Sequence, residues 1–277
     1  MTVSALNSDA ARVERFSHNT AQLTTMSEQT RSGNAAILPA SCSGCILNKY
    51  CLGSRLSTLA GNQVGPIVDP GHTLAKREHL FHTGDKPEAL YIIKSGSAKL
   101  YFDSEDGREQ VVDFYMPGDV LGLDALGNGT HRTSAVVLER TTLCVIQLAS
   151  LNQAPGCHHD LYKLLSMELV RDQHVLGLVM KKDAEAKIAR FLIGLSQRFR
   201  ARGYSSTRFN LRMRRREIGC HLGIATETVS RMLTRFQALG LLQVERCHIQ
   251  ILNFSELERL AECQSSQHRA SHRQRAG

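Results

Sequence analysis

No apolar run in this 277-residue chain reaches the roughly 18 to 20 residues that a bilayer span requires, and the first forty residues contain no apolar h-region of a secretory signal. Both absences place the expected location in the cytoplasm. Cysteine is sparse: eight residues, at 42, 45, 51, 144, 157, 220, 247 and 263, are too few for a disulfide scaffold of this length, and a reducing compartment keeps them as thiols. No proline follows Pro155, so the usual helix breaker is missing from the C-terminal part of the chain. Acidic residues are almost absent from Lys181 to Arg216, where twelve Lys and Arg face only Asp183 and Glu185. That local excess of +10 is larger than the net +8 of the whole chain. Beside a recognisable motif, charge concentrated in this way is the footprint of a polyanion partner; alone it fits a solvated helix face equally well.

The length suggests two modest domains. Residues 1–40, rich in Ser, Thr, Ala and Asn, show no sustained period and are expected to form a disordered leader; residues 264–277 are expected to form a disordered tail. From about Leu59 to Leu151 the pattern is one of short alternating runs such as LYIIKSGSAKLYF and TSAVVLERTTLCVIQL. Glycines at 84, 96, 107 and 118 recur every eleven or twelve residues, the turn spacing of an antiparallel sandwich or barrel. From His158 the period becomes helical to about Arg200, as one long helix with a second beginning near Asp183. Tyr162, Leu165, Leu169, Asp172, Leu176 and Val179 follow the three–four spacing of a two-stranded coiled-coil seam. Asp172 breaks its apolar character. In a parallel homodimer it faces its own copy, and two ionised carboxylates in a partly apolar seam cost several kcal/mol. Either Asp172 lies at a splayed, wet part of the seam, or the dimer is kept marginal, with Leu169, Asp172 and Leu176 as its switch.

Residues 214–239, RRREIGCHLGIATETVSRMLTRFQAL, hold two short helical patterns joined at Gly223-Ile224-Ala225. Ile218 and Leu222 form the core face of the first, and Val229, Leu233 and Phe236 that of the second. This is the pattern of a helix-turn-helix whose second helix starts near Thr226 and presents Glu227, Ser230 and Arg231 to the major groove of double-stranded DNA. Arg bonds guanine bidentately and Glu accepts from cytosine, although an i,i+4 surface ion pair would also account for Glu227 and Arg231. LLQVERCHIQILN then reads as a β-hairpin wing.

Cys42, Cys45 and Cys51 share the stretch SCSGCILNKYCLG, spaced C-x2-C-x5-C. Zinc sites, redox pairs and iron–sulfur sites all use such spacings. A structural zinc would need a nearby fourth ligand, and no Cys or His follows Cys51 before His72. A thioredoxin-like pair belongs to a βαβ unit, whereas this stretch precedes antiparallel strands. A [4Fe–4S] core asks for one cysteine per iron, so the fourth would have to come from the fold. By its own pattern Cys144, in TTLCVIQL, is a small core residue. Cys157, Cys220, Cys247 and Cys263 have no partner at ligand spacing.

The order of parts, an α+β chain with an N-terminal antiparallel β-roll of the jelly-roll, cyclic-nucleotide-binding type, a long dimerisation helix and a C-terminal winged helix-turn-helix, resembles the CRP/FNR superfamily of bacterial transcription regulators. The cysteine stretch, Cys144, KSGSAKLYF, MPGDVLGLDALG and the E-x-x-S-R pattern of Glu227, Ser230 and Arg231 resemble its FNR branch, the oxygen-responsive regulators of anaerobic metabolism. The resemblance implies one [4Fe–4S] cluster per subunit on Cys42, Cys45, Cys51 and Cys144. Oxygen converts such a cluster to [2Fe–2S] and destroys it, and nitric oxide is a second attacker. It also implies a homodimer when the cluster is loaded, and two-fold sites with TTGAT-type halves. Arg231 would bond the guanine, Glu227 the paired cytosine, and Ser230 would lie beside a thymine. RNA polymerase is an implied partner, with the turn Ser104-Glu105-Asp106-Gly107 as a candidate contact. The implied divisions are a sensor over 41–157, a dimerisation helix over 158–182 and a DNA-binding domain over 183–263.

Two departures stand out. Arg214 occupies a position where the family often has a capping Thr, and Arg cannot accept a helix-start hydrogen bond. Leu123 and Thr133 stand where nucleotide-binding members place a Glu and an Arg, so no cyclic nucleotide is expected. Two rivals remain: a zinc-stapled or apo CRP-like regulator of another small molecule, and an iron–sulfur enzyme or electron carrier. The second predicts a grouped base and nucleophile or another cluster motif, and the sequence has neither. No catalytic residues are expected.

Overall fold

The computed structural model describes residues 42–49, 51–54, 68–104, 107–153, 157–181 and 183–262; the expected leader 1–40 and tail 264–277 lie outside them. Eight short strands form the roll: β1 (Val68–Leu74), β2 (His79–Phe81), β3 (Ala89–Ser95), β4 (Ala98–Asp103), β5 (Glu109–Tyr115), β6 (Val120–Leu121), β7 (Ser134–Val137) and β8 (Thr141–Gln147). They pair antiparallel in two four-stranded sheets, ordered β1-β8-β3-β6 and β2-β7-β4-β5. All four evenly spaced glycines, Gly84, Gly96, Gly107 and Gly118, have positive φ. At Gly96 a side chain is doubly excluded: φ is 92°, and a Cβ would lie 2.8 Å from the Thr141 backbone.

The two sheets share a core of Leu80, Phe81, Ile93, Leu100, Leu121 and Leu143. The outer face of the β1–β8–β3–β6 sheet is also covered, because Leu90, Ile92 and Ile146 pack against Leu47, Cys51 and Leu52. Burial on both faces explains why β3 reads as a nearly unbroken apolar run. Each fully buried Leu contributes about 1.5–3 kcal/mol, so Leu47, 1% exposed, is a substantial anchor for the cysteine segment.

Short helix α1 (Leu148–Gln153) leads into α2 (Cys157–Val179) and α3 (Ala184–Ala201). The long helix stops at Val179, three residues before the expected end at 182. Asp183 then caps α3, its carboxylate accepting from the amides of Glu185 and Ala186 at 3.1 and 3.4 Å. The C-terminal part continues with β9 (Arg208–Asn210), α4 (Arg215–Leu222), α5 (Thr226–Ala238), β10 (Leu242–Glu245), β11 (His248–Ile251) and α6 (Phe254–Glu262). The wing has three strands, ordered β10-β11-β9, rather than the expected two. Helix α6, absent from the sequence-based expectation, packs Leu257 and Ala261 into the core with Ile188, Leu192 and Phe236. Its start is set by Asn253, whose side chain accepts from the Glu256 amide at 3.0 Å.

Candidate thiol site and nucleic-acid interface

Cys42 opens a short 3-10 turn and its carbonyl accepts from the Cys45 amide at 3.2 Å; the Cys45 carbonyl accepts from Asn48 at 3.0 Å. These turns fold the segment back so that Cys51 is buried beside Leu52, while Ile46 stays exposed. Cys144 lies in the middle of β8, opposite Pro70 of β1 and Ile92 of β3. The four thiols line one cavity of about 20 Å³ together with Asn48, Ser54, Val68 and Lys94. The fold therefore joins two segments that are far apart in sequence.

Burial pushes the Cys51 thiol up, and nearby Cys42 and Cys45 add to the effect. Cys144 is pushed up to about 11, first by burial and then by Cys51, with Lys94 opposing. Four thiolates crowded here repel one another, so a positively charged centre is what would let them ionise. A four-cysteine donor set fits an iron–sulfur cluster, with one thiolate per iron. The cavity has room for about one water-sized body, and as placed no three His, Cys, Asp or Glu side chains among the described residues are grouped to hold a metal ion. Holding a cluster thus requires the surface segment to back away from β8. Cys220 and Cys247 lie elsewhere; the Cys157 side chain and Cys263 are outside the described residues.

The reading motif is formed as its pattern implies. Ile218, Leu222, Val229, Leu233 and Phe236 are buried, while Glu227, Ser230 and Arg231 are exposed on α5. Neither Glu227 nor Arg231 has an ion-pair partner among the described residues. Helix α4 meets the turn that leads into α5 at Gly219, where a Cβ would come within 2.7 Å of the Ile224 carbonyl oxygen. Gly223, at φ 63°, ends α4 in the left-handed conformation. Arg214 supplies no oxygen at the start of α4; instead the Glu217 carboxylate accepts from the Arg214 amide at 2.7 Å. Half of the capping box therefore survives the substitution.

The turn beside Leu123 is filled from within. Asp124 accepts from the amides of Arg132 and Thr133 at 2.8 and 3.2 Å and from the Thr133 hydroxyl at 3.0 Å, and His131 Nδ1 lies 3.1 Å away. Burial works to raise the Asp124 carboxyl, but His131, the Arg132 amide and Thr133 together hold it below the usual carboxylate range. Leu123 and Thr133 are visible in the sequence as substitutions, but only the fold brings the Asp124 carboxylate onto these donors.

Along α2 the stripe of Tyr162, Leu165, Leu169, Leu176 and Val179 is exposed, as is Asp172. Partial burial pushes the Asp172 carboxyl up, Asp113 adds to this and Arg171 opposes it. On the opposite side Arg171 donates to Asp113 at 2.6 Å and to the Phe114 carbonyl at 2.7 Å, with its guanidinium 4.1 Å from the centre of the Tyr115 ring. Arg198 and Arg202 of α3 both reach Asp119. Burial alone would raise the Asp119 carboxyl, but Arg198, Arg171 and Arg202 hold it down at about 2. This network, which no sequence pattern announced, ties α2 and α3 to one end of the roll. In the turn after β4, Ser104 and Gly107 bracket the chain reversal, with the Gly107 amide donating to Ser104 at 2.8 Å; Glu105 and Asp106 lie outside the described residues.

A family model described as cyclic nucleotide-binding domain matches residues 72–154, and one described as Crp-like helix-turn-helix domain matches residues 186–260. The anaerobic regulatory protein of Aggregatibacter actinomycetemcomitans is 37% identical over 86% of this chain and 93% of its own. The transcriptional activator protein Anr of Pseudomonas aeruginosa is 39% identical over 82% and 94%. The fumarate and nitrate reduction regulatory protein of Escherichia coli is 37% identical over 83% and 93%. Among solved structures, FixK2 from Bradyrhizobium japonicum superposes with a TM-score of 0.64 at 28% identity, covering 70% of this chain and 98% of that one. The two-domain match and the extent of these identities agree with the geometry of roll, long helix and reading motif: the chain belongs to the FNR branch of the CRP/FNR superfamily of bacterial transcription regulators.

Proposed function

We propose that this regulator controls anaerobic metabolism in response to oxygen, through a [4Fe–4S] cluster held by Cys42, Cys45, Cys51 and Cys144. The observation that carries the reading is that all four thiols line one cavity although they come from two separate segments. A cluster bound there would supply an oxygen-labile group, also open to nitric oxide. The residues around it supply the transmission. Leu47, Leu52, Val120 and Ile146 form one core on which Leu123, Leu126, Leu161 and Leu164 also pack. Leu161 and Leu164 belong to the first turns of α2, beside Tyr162 and Leu165 of the exposed stripe. A change in the spacing of the thiols therefore shifts the support of the helix that carries Leu169, Asp172 and Leu176. Such coupling needs only that the loaded site favour the dimer.

In this reading residues 41–157 sense, 158–182 dimerise and 183–263 bind DNA. The dimer presents two copies of Glu227, Ser230 and Arg231 to a palindrome with TTGAT-type halves, and RNA polymerase is met through the turn at Ser104–Gly107 and surfaces near the reading domain. The engagement of Asp124 with the 131–133 donors supports a roll that takes no cyclic nucleotide. Anaerobic purification tests the proposal. A brown dimer with about four iron and four sulfide per chain, binding the palindrome before but not after exposure to air, is the expected result. Colourless protein that binds equally well in air would favour a zinc-stapled or apo regulator instead.

A further inference from the structure

Strand β5 is the edge of its sheet, and an edge leaves a row of backbone donors and acceptors unpaired. Here the first helix of the reading motif covers that row. Cys220 Sγ accepts from the Val111 amide at 3.2 Å and donates to the Glu109 carbonyl at 3.3 Å. His221 Nδ1 donates to the Val112 carbonyl at 2.8 Å. That carbonyl is available because the β4–β5 register slips at this point: Leu100 pairs with Asp113 and Tyr101 with Val111, leaving Val112 as the extra residue of a bulge. Beneath the helix lies Lys99 of β4, only 4% exposed, with its ammonium 2.5 Å from Glu109 and 2.9 Å from Glu217. Glu217 thus divides its two oxygens, one closing the start of α4 at the Arg214 amide and the other reaching the roll.

We propose that the β5 edge is a docking surface for α4, and that Lys99 and Glu217 are positioning residues that set the angle at which the reading helix meets DNA. The inference rests on the reading above, in which a dimer spans two half-sites. Glu227, Ser230 and Arg231 remain exposed in the docked arrangement, so docking orients α5 without occluding it. The orientation of α4 passes rigidly to α5 through the close approach at Gly219. In a dimer joined along α2, a fixed angle between roll and reading helix becomes a fixed distance and phase between two reading helices. One extra base pair at the centre of the palindrome displaces a half-site by roughly 34° and 3.4 Å, and only a rigidly docked reading motif rejects that displacement.

The test uses full-length protein reconstituted anaerobically, with binding measured on a TTGAT-type palindrome at its preferred spacing and with one central base pair inserted. The wild type is expected to prefer the first by about 30-fold or more, within the usual span of discrimination for a specific binder. In Lys99→Met and Glu217→Gln the preference falls below about 5-fold, while iron content and dimerisation are unchanged; Lys99→Arg keeps it. Glu217→Gln retains an oxygen for the Arg214 amide, so its effect is not a lost cap. Hydrogen exchange of the Val111 amide accelerates in the same two variants without DNA. An unchanged spacing preference in both variants overturns the positioning role while leaving the functional reading intact. Failure of the wild type to bind either palindrome overturns that reading, and the inference with it.

Discussion

The roll is covered on two sides, and the two covers differ in kind. On the outer face of the β1–β8–β3–β6 sheet lies the cysteine segment, held by Leu47 and Leu52 in an apolar core, with four thiols lining a cavity of about 20 Å³. Around β5 lie α2, α3 and α4, held by Lys99, Glu217 and His221 and by three guanidiniums set on Asp113 and Asp119. In the function proposed above, the first cover also holds a bound centre that lets its thiols ionise. The second is complete in the polypeptide itself. The proposed sensing role would use both: a labile contact that answers to the environment, and a permanent one that carries the answer to the DNA-reading end.

Breaking the conditional side should have the largest effect. Cys144→Ser is expected to abolish iron retention and to weaken binding to the palindrome by more than about 100-fold, because a monomer loses the second half-site. Iron analysis and a gel-shift titration check this, and the thermal midpoint should move little. Binding that survives without iron would show that the apolar core alone holds the cover.

Breaking the permanent side should cost stability rather than responsiveness. Asp119→Asn leaves three guanidiniums without their shared buried carboxylate, at about 3–5 kcal/mol by urea unfolding. The pH dependence follows from the depressed carboxyl: its folded value of about 2 lies below the ordinary 3.8. Its contribution, about 2 kcal/mol, is therefore fully present above about pH 4 and lost as pH falls through about 2. Asp119→Asn should lose that part of the acid unfolding profile, and a profile identical to wild type would show that the network is not linked to folding.

The smallest effect is expected where the two sides meet, on α2. Asp172→Ala removes the carboxylate from the exposed stripe and should tighten dimerisation in air by about tenfold, roughly 1.4 kcal/mol, read by sedimentation. If the aerobic protein stays monomeric to the same concentration, Asp172 is not the brake.

Much of this organisation could be read from residue order. Evenly spaced glycines marked the turns of the roll, the three–four spacing marked the exposed stripe of α2, and the apolar positions of 214–239 marked both helices of the reading motif. Helix α6 and strand β9 were missed for different reasons. Asn253 and Glu256 carried a readable N-terminal signal, whereas a three-residue strand such as β9 has too few positions to show a period. The Asp113–Arg171–Asp119 network could not be read at all, since charged residues far apart in sequence look like ordinary surface until the fold buries them together.

By itself the sequence determined that three thiols lie within ten residues of one another, that a recognition helix presents Glu227, Ser230 and Arg231, and that one helix carries an apolar stripe interrupted by Asp172. These are local facts, set by spacing along a helix or a turn. Only the tertiary structure decided that Cys144 faces the other three thiols, that Asp124 takes the donors of the 131–133 turn, and that α4 closes the edge of β5. The first and third join segments about a hundred residues apart, and the second spans a turn with no regular period; contacts of either kind leave no periodic trace in the chain that makes them.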